Sequence, residues 1–296
     1  MGPQPPSNEA LIEEFLNYLR EKRHFSPHTV TGYAADLHQF CEYLTEGDGA
    51  PNSLTAVTAT TVKEFMDFLA QRGYAASTIV RKTATLRSFY KKFCLPRAYV
   101  PLNPLELITT PRLKKQPPVC LNESEISKLL EAPDTRELLG CRDRAIFETM
   151  CCSGVRVSEL IDLNRADVRL EDEMLHIQGR GKKHRLAPLS PAALAWIKCY
   201  EERRDQEPCA ATFNQEALFL NKHGQRLSTR SVRRKLEKCL ARARLPRAIS
   251  PQTLRDSFAN NLVQKGKGYP EVQLLLGHQS LSTTTTRYHR TKPITV

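Results

Sequence analysis

The stretch CCSGVRVSELIDLNRADV, residues 151–168, joins two helical patterns through one glycine and one arginine. Small residues close the first pattern at Gly154, and Glu159 begins the second. Arg156 stands between two valines, so apolar neighbours on both sides direct its charge toward a particular partner. That partner is either Glu159, three residues further along the same helix, or an anion from outside the chain.

Composition and charge limit the class of protein. The chain has 296 residues, which suits two domains of roughly 100–200 residues each. Its 40% hydrophobic and 26% charged residues are typical of a soluble globular protein. It lacks an apolar run of membrane-spanning length and a secretory signal, which predicts a cytoplasmic protein with no membrane association. The nine cysteines are scattered without a CxxC pair, so we expect reduced thiols and no zinc site.

Positive charge is concentrated in one region. The net charge is +12, and residues 222–255 hold eleven lysines and arginines against a single acid, Glu237. A helical pattern over residues 229–244 places apolar residues inward and most of this charge outward. A surface with one sign of charge favours a polyanion, whereas a solvated helix face usually mixes both signs. The helix residues expected to contact DNA are Arg230, Arg233, Arg234 and Lys238.

The first part of the chain predicts a small all-helical domain over residues 1–105. Apolar residues recur there at helical spacing, and the predicted helices cover residues 9–20, 27–44, 60–71 and 77–93. A proline-rich linker is expected over residues 106–120, followed by a second domain over residues 121–296. The last helix is basic, and its residues expected to contact DNA are Arg81, Lys82, Arg87 and Lys91.

The second domain is predicted to be helical except for two short strands over about 173–188. No P-loop, HExxH zinc motif or GxSxG motif occurs, which argues against nucleotide hydrolysis, zinc chemistry and an α/β-hydrolase. Two arginines, a histidine and a late tyrosine remain as candidates: Arg156, Arg255, His278 and Tyr288. Guanidinium groups can hold a phosphodiester and stabilise its transition state, and a tyrosine hydroxyl can attack phosphorus.

Four segments together resemble the tyrosine recombinases, and among these the bacterial Xer site-specific recombinases. They are SPHTVTGYAADLHQFCEYL at 26–44, SGVRVSELIDLNRADV at 153–168, SPQTLRDSFANNL at 250–262 and VQLLLGHQSLSTT at 272–284. The resemblance covers nearly the whole chain, with the blocks in the order of the family. It implies a mainly α fold: an N-terminal helical core-binding domain of the SAM-like type and a C-terminal, mostly helical catalytic domain with a small β-sheet.

The resemblance also implies how the candidate residues act. Arg156 and Arg255 are implied to grip the scissile phosphate, His278 to bind it or assist proton transfer, and Tyr288 to form a 3′-phosphotyrosine link. Because that link conserves the bond energy, no cofactor or metal ion is expected. The implied substrate is double-stranded DNA bound by four protomers. A XerD-like recombinase and an FtsK-like translocase are the implied partners in resolving chromosome dimers at cell division.

Three positions depart from the pattern of that family. Arg180 stands in the turn between the two strands, where a lysine usually protonates the leaving oxygen, and arginine holds its proton too tightly for this. Lys182 is the candidate replacement, and Lys183 is a candidate phosphate contact. Gln252 stands where a histidine is usual, and Asp256 also replaces a common histidine.

The spacing of the tyrosine is a further departure. Ten positions separate His278 from Tyr288, where the family usually has nine, and the surplus lies in the threonine run 283–286. In a helix one extra residue turns the tyrosine by about 100°, whereas a loop absorbs it. Two alternatives to a chromosomal recombinase therefore stay open. They are an integrase of a mobile element and a DNA-binding protein of the same fold with weakened cleavage.

Overall fold

The computed structural model describes residues 6–46, 51–110, 117–179, 184–289 and 292–293. They form two compact units, one within residues 1–115 and the other within residues 116–296, and each has its own apolar core. Both units are mainly helical and the second contains small sheets, which confirms the predicted fold class. Among these residues, no helix combines the length and the apolar character needed to cross a membrane.

Four α-helices build the first unit where the spacing of apolar residues predicted them. They are α1 Asn8–Glu21, α2 Pro27–Glu46, α3 Ala59–Gln71 and α4 Ala76–Phe89, and a π-helical turn, Tyr90–Cys94, follows α4. Side chains of Ser7 and Thr58 accept hydrogen bonds from backbone N–H groups at the starts of α1 and α3, which satisfies donors that a helix leaves free. The core extends to Leu105 and Ile108 and is rich in phenylalanine: Phe15, Phe40, Phe65, Phe89 and Phe93.

A buried ion pair ties α2 to α4. Asp36, 2% exposed, accepts hydrogen bonds from Lys82 Nζ at 2.9 Å and Thr85 Oγ1 at 2.8 Å, and it also pairs with Arg81. Lys82 is itself only 7% exposed. The ammonium group that was predicted to contact DNA is thus bound to Asp36 in the structure. Arg81, which precedes Lys82, is basic and exposed, but the carboxylate that holds Lys82 lies 46 residues earlier in the chain, where sequence spacing does not reveal it.

Eight α-helices and five short strands form the described part of the second unit. The helices are α5 Glu123–Glu131, α6 Leu138–Ser153, α7 Val157–Asp162, α8 Pro191–Asp205, α9 Thr229–Arg242, α10 Pro251–Gln264, α11 Tyr269–Leu276 and α12 Leu281–Tyr288. The strands are β1 Val119–Cys120, β2 Val168–Arg169, β3 Met174–Gln178, β4 His184–Pro188 and β5 Lys292–Pro293. Strands β2, β3 and β4 form an antiparallel sheet in that order, and β1 pairs with β5 in parallel. The sequence predicted β3 and β4, whereas strands of two residues are too short to show a period.

Helix α6 packs against α8 and α10, and Gly154 ends α6 next to α10. Gly154 has a φ of 60°, a left-handed backbone that favours glycine. A Cβ at this position would lie 2.4 Å from Cδ1 of Phe258 on α10, so a larger residue does not fit. This close approach brings Arg156, two residues further on, to the helix that carries Arg255.

Candidate active site

Arg156 and Arg255 line the same cleft in the second unit. Arg156 directly precedes α7, and Arg255 lies in the second turn of α10. The cleft has a volume of ≈ 410 Å³ and also contains Arg233 from α9, Arg247 and one carboxylate, that of Glu237. Four guanidinium groups against one carboxylate favour the binding of an anion.

Three consecutive carbonyls at the end of α11 each accept a hydrogen bond from a different arginine. The pairs are Leu275 O with Arg185 Nε at 2.9 Å, Leu276 O with Arg255 Nη2 at 2.5 Å, and Gly277 O with Arg156 Nη2 at 3.4 Å. A helix leaves its last carbonyls without partners inside the helix, and positive charge is favourable at that end. The arginines therefore fix the backbone that immediately precedes His278.

Glu159 on α7 links two of these arginines. Its Oε1 accepts hydrogen bonds from Arg156 Nη1 at 2.7 Å and Arg185 Nη1 at 2.8 Å, and its Oε2 accepts one from Arg185 Nη2 at 2.7 Å. Burial alone raises the pKa of Glu159, but the hydrogen bonds and charges of Arg185 and Arg156 outweigh it and lower the pKa to about 2. Arg156 thus pairs within its helix, and 37% of its side chain still remains exposed.

Arg255 is a buried cation, 2% exposed. Its Nη1 donates to the carbonyl of Gly154 and its Nη2 to that of Leu276, both at 2.5 Å. Burial, followed by repulsion from Arg156, lowers the pKa of Arg255 to about 9. An anion in the cleft would offset the repulsion between the two arginines, so the charge balance favours phosphate binding.

His278 lies at the end of α11, after Gly277. Its Nδ1 is 2.9 Å from Oγ1 of Thr284, a fully buried residue of α12. Burial, then the charges of Arg255 and Arg156, lower the pKa of His278 from 6.5 to about 4. The imidazole is therefore neutral near neutral pH, with one N–H donor and one acceptor nitrogen.

Tyr288 is the last residue of α12 and points inward. Its ring lies parallel to that of His278, with 6.4 Å between centroids and 8° between planes. Its hydroxyl donates to Oδ1 of Asp256 at 2.9 Å, and the residue is 2% exposed. Burial, then Asp256, raises the pKa of Tyr288. The threonine run lies within α12, and the tyrosine nevertheless faces the same interior as Thr284, four residues earlier.

Asp256 accepts hydrogen bonds from two further residues besides Tyr288. Arg287 donates with Nε to Oδ1 at 2.8 Å and with Nη2 to Oδ2 at 2.6 Å, and Gln252 donates with Nε2 to Oδ1 at 3.1 Å. Asp256 follows Arg255 directly in the chain, but neighbouring residues of a helix point about 100° apart. The carboxylate is therefore used by Arg287, Gln252 and Tyr288.

The predicted DNA contacts differ in exposure. The four predicted contacts on α9 are exposed, and the apolar face of that helix is buried. The exposed residues are Arg230, Arg233, Arg234 and Lys238. In the first unit Arg81 and Lys91 are exposed, and Arg87 is partly buried and donates to the carbonyl of Ile108. Arg180, Lys182 and Lys183, which were predicted to lie in a turn, lie outside the described residues.

Sequence reasoning missed Arg185, Thr284 and Arg287. A signal for Arg185 was available, because strand alternation places it on the same face of β4 as Ala187, which is buried. An arginine on the inner face of a strand needs a buried acceptor. Thr284 and Arg287 carried no such signal, because the packing of α12 determines their partners.

Two family profiles match the chain. The profile described as "Phage integrase family" matches residues 120–293, and the profile described as "Phage integrase, N-terminal SAM-like domain" matches residues 12–93. The chain therefore belongs to the phage integrase family. Within it, the chain is similar to proteins named tyrosine recombinase XerC. It is 34% identical to that of Chlamydia muridarum over 291 residues and 38% identical to that of Syntrophus aciditrophicus over 284 residues, and each alignment covers 93% of this chain and 91% of the relative.

Solved structures show the same fold. The XerH site-specific recombinase bound to a palindromic difH substrate, in a post-cleavage complex, matches with a TM-score of 0.76 and 24% identity, covering 96% of this chain and 81% of that one. A lambda integrase(75–356) dimer bound to a COC′ core site matches with a TM-score of 0.72 and 15% identity, covering 95% and 94%.

Proposed function

We propose that this chain is a tyrosine site-specific recombinase that cuts and rejoins double-stranded DNA through a 3′-phosphotyrosine intermediate. The cleft that contains Arg156 and Arg255 carries the proposal, because two guanidinium groups there can hold the non-bridging oxygens of one phosphodiester. The resemblance to proteins named tyrosine recombinase XerC supports it.

The reaction has two steps, which conserve phosphodiester bonds. First, the Tyr288 oxygen attacks phosphorus and its proton passes to water, while the bond from phosphorus to the 5′ oxygen breaks and that oxygen gains a proton. Second, the 5′ hydroxyl of the exchanged strand loses its proton, attacks the phosphotyrosine and forms the new phosphodiester, while the bond from phosphorus to the tyrosine oxygen breaks and that oxygen regains a proton. Since each broken bond is replaced by another, neither a nucleotide nor a cofactor has to supply energy.

Each residue around the phosphate has a separate proposed role in stabilising it. Arg156 and Arg255 neutralise the charge that develops on the phosphate oxygens. His278 is proposed to donate a hydrogen bond to one of these oxygens from Nε2, in the tautomer whose Nδ1 accepts from the hydroxyl of Thr284. Gln252 lines the cleft and can transfer its amide hydrogen bond from a carboxylate to the phosphate.

The leaving oxygen needs a proton donor, and the turn between β3 and β4 is the proposed source. Lys182 is the candidate, because an ammonium group releases a proton far more readily than the guanidinium of Arg180. Lys183 and the exposed arginines of α9 are proposed to bind phosphates along the duplex. Arg81 and Lys91 are the proposed contacts from the first unit.

The biological role that we propose is resolution of chromosome dimers at cell division. Strand exchange needs two cleaved sites, so the active form is an assembly of protomers on DNA with a XerD-like recombinase as partner. An FtsK-like translocase is the proposed activator. The substrate is chromosomal, which places the reaction in the bacterial cytoplasm.

A DNA-binding protein with weakened cleavage is the second candidate. The observation that favours it is the resting position of Tyr288, which is 2% exposed and hydrogen-bonded to Asp256. A buried hydroxyl next to a carboxylate is a poor nucleophile until it is released.

A nicked suicide substrate separates the two candidates. We expect the wild-type chain to form a covalent adduct with the DNA, because the short strand beyond the nick diffuses away after cleavage. Tyr288→Phe removes only the hydroxyl, so it should bind DNA and form no adduct. Tyr269→Phe, which changes a second tyrosine packed in the same apolar cluster, is the matched control and should form adduct. If the wild type binds the substrate and forms no adduct, the second candidate is supported.

A further inference from the structure

We propose that Arg185 is a positioning residue of the active site, which orients Arg156 through Glu159 and fixes the turn before His278 through the carbonyl of Leu275. This assignment rests on the proposed recombinase function. Arg185 lies in β4, opposite Ile177 of β3, and sequence reasoning did not assign it a role.

Every nitrogen of the Arg185 guanidinium has a partner. Nη1 and Nη2 donate to the two oxygens of Glu159 at 2.8 and 2.7 Å, and Nε donates to Leu275 O at 2.9 Å. The side chain is 8% exposed, as is that of Glu159. A planar group with a hydrogen bond at each of its three nitrogens is held in one orientation, so it fixes the relative positions of β4, α7 and the end of α11.

The partners of Arg185 lead directly to two proposed catalytic groups. Glu159 Oε1 also accepts from Arg156 Nη1 at 2.7 Å, and Oε2 accepts from the backbone N–H of Arg156 at 2.9 Å. Without Arg185, Glu159 keeps only its hydrogen bonds to the side chain and backbone of Arg156, and the contacts that tie its carboxylate to β4 are lost. Arg156 is then held less firmly in its direction toward the phosphate.

The second contact of Arg185 is made below the turn that presents His278. Gly277 has a φ of 65°, and a Cβ there would lie 3.0 Å from Cδ of Arg185. The arginine stem therefore packs directly against this glycine, while Nε holds the preceding carbonyl of Leu275. Loss of the side chain would leave a gap under the turn and one helix-end carbonyl without its donor.

Arg185 acts through these neighbours because it does not itself reach the cleft. Among the described residues, Arg156 and Arg255 are part of the cleft lining and Arg185 is not. Its removal should therefore slow the chemical step while DNA affinity stays nearly unchanged, since the phosphate contacts that remain hold the duplex.

The same unit contains a matched control, Arg144 on α6. It donates with Nε and Nη2 to Glu148 at 2.9 and 2.7 Å, and with Nη1 to the carbonyl of Leu130 in the last turn of α5 at 2.7 Å. Arg144→Ala therefore removes the same kinds of contact as Arg185→Ala, namely a pair with a carboxylate and a hydrogen bond to a helix-end carbonyl. The contacts of Arg144 lie outside the candidate site.

The test measures single-turnover adduct formation on the nicked substrate at saturating DNA, together with Kd and Tm. Arg185→Ala should slow cleavage by about 10²-fold, the cost of misplacing catalytic groups by about 1 Å, with Kd within about threefold of wild type. Arg144→Ala should lower Tm and leave the cleavage rate within about threefold. In an Arg156→Ala background, Arg185→Ala should slow cleavage by a smaller factor than in the wild type, because one of its two targets is already absent.

Several results would overturn the assignment. They are a wild-type cleavage rate in Arg185→Ala, an equal loss of rate in Arg144→Ala, and an undiminished effect in the Arg156→Ala background. If Arg185→Ala does not fold, Arg185→Lys replaces it. Lysine keeps the charge, but it lacks the planar fork that reaches both oxygens of Glu159 and the carbonyl of Leu275. A wild-type rate in that variant contradicts the proposal. If neither variant folds, Arg185 is a structural residue and the assignment fails. A wild type that forms no adduct contradicts the proposed function instead.

Discussion

The arginine side of the candidate site and its tyrosine side are prepared for reaction to different degrees. On the arginine side, Arg156 and Arg255 face a cleft and are held by backbone carbonyls and by Glu159. On the tyrosine side, Tyr288 is buried and its hydroxyl is bound to Asp256. The groups that would hold a phosphate are in place before DNA binds, whereas the nucleophile has to be released.

The difference follows from the kind of partner that each group has. Backbone carbonyls at the end of α11 cannot move unless the helix end moves, so the arginines are preorganised for charge that develops in a transition state. The partners of Tyr288 are side chains. Arg287, whose side chain is 41% exposed, covers Asp256, and a DNA phosphate can compete for it. The comparison therefore predicts that release of Tyr288 limits the rate of cleavage.

Apart from loss of the Tyr288 hydroxyl itself, the largest effect is expected from the arginine side. Arg156→Ala and Arg255→Ala should each slow adduct formation by about 10²–10³-fold at saturating DNA, because each removes charge stabilisation from the transition state. Arg203→Ala, which removes an arginine bound to the carbonyl of Thr135, is the control and should cleave at the wild-type rate. An unchanged rate in Arg156→Ala would show that the cleft does not hold the scissile phosphate.

A smaller effect, of opposite sign, is expected from the tyrosine side. Asp256→Asn keeps a hydrogen-bond acceptor for Tyr288 and removes the negative charge that raises the pKa of the phenol. The pKa should fall, which ultraviolet titration of the tyrosines detects, and cleavage should become about tenfold faster for each unit of pKa lost. Slower cleavage in Asp256→Asn would identify the carboxylate as the proton acceptor for Tyr288, and the restraint that we infer would be absent.

Introducing a histidine in place of Gln252, which binds Asp256, is a second test of the tyrosine side. Gln252→His places a group that can transfer protons in the cleft, and such a role contributes about 10²-fold or more when it is rate-limiting. If release of Tyr288 limits the rate, Gln252→His alone should have little effect, and its benefit should emerge only in the Asp256→Asn background. A large gain from Gln252→His alone would place the limitation in proton transfer.

The smallest effect concerns the pH dependence of stability through His278. Its pKa in the folded chain is about 4, below the ordinary value of 6.5. Between these values the unfolded chain binds the proton and the folded chain does not, so stability falls as the pH falls from about 6.5 to 4. Glu159, with a pKa of about 2, contributes a separate loss only below about pH 4.5.

NMR titration of the imidazole measures this pKa directly, and urea unfolding between pH 7 and 5 measures the stability. His278→Gln should remain more nearly constant in stability across this range than the wild type. His223→Gln, which changes an exposed histidine of the same unit, should follow the wild-type curve. A titration of His278 near 6.5 would mean that neither burial nor the arginines lower its pKa in solution.

Much of the fold follows from local pattern. Apolar spacing predicted α1 to α4 to within a few residues, because a helix repeats its inward face every three to four residues whatever it packs against. The inward face of α9 was predicted in the same way. The partner of Lys82 was not predicted, because helical spacing does not identify the partner of a charged residue, and Asp36 lies on another helix.

The sequence by itself determined the family, the fold class and the four candidate residues Arg156, Arg255, His278 and Tyr288, since these depend on residue types in a fixed order. Only the tertiary structure decided which groups hold them. Asp256 neighbours Arg255 in the chain and yet binds Tyr288, and Arg185 reaches two other elements from β4. Hydrogen bonds join atoms within about 3 Å of each other, and residues far apart in sequence reach that distance only when helices and strands have packed.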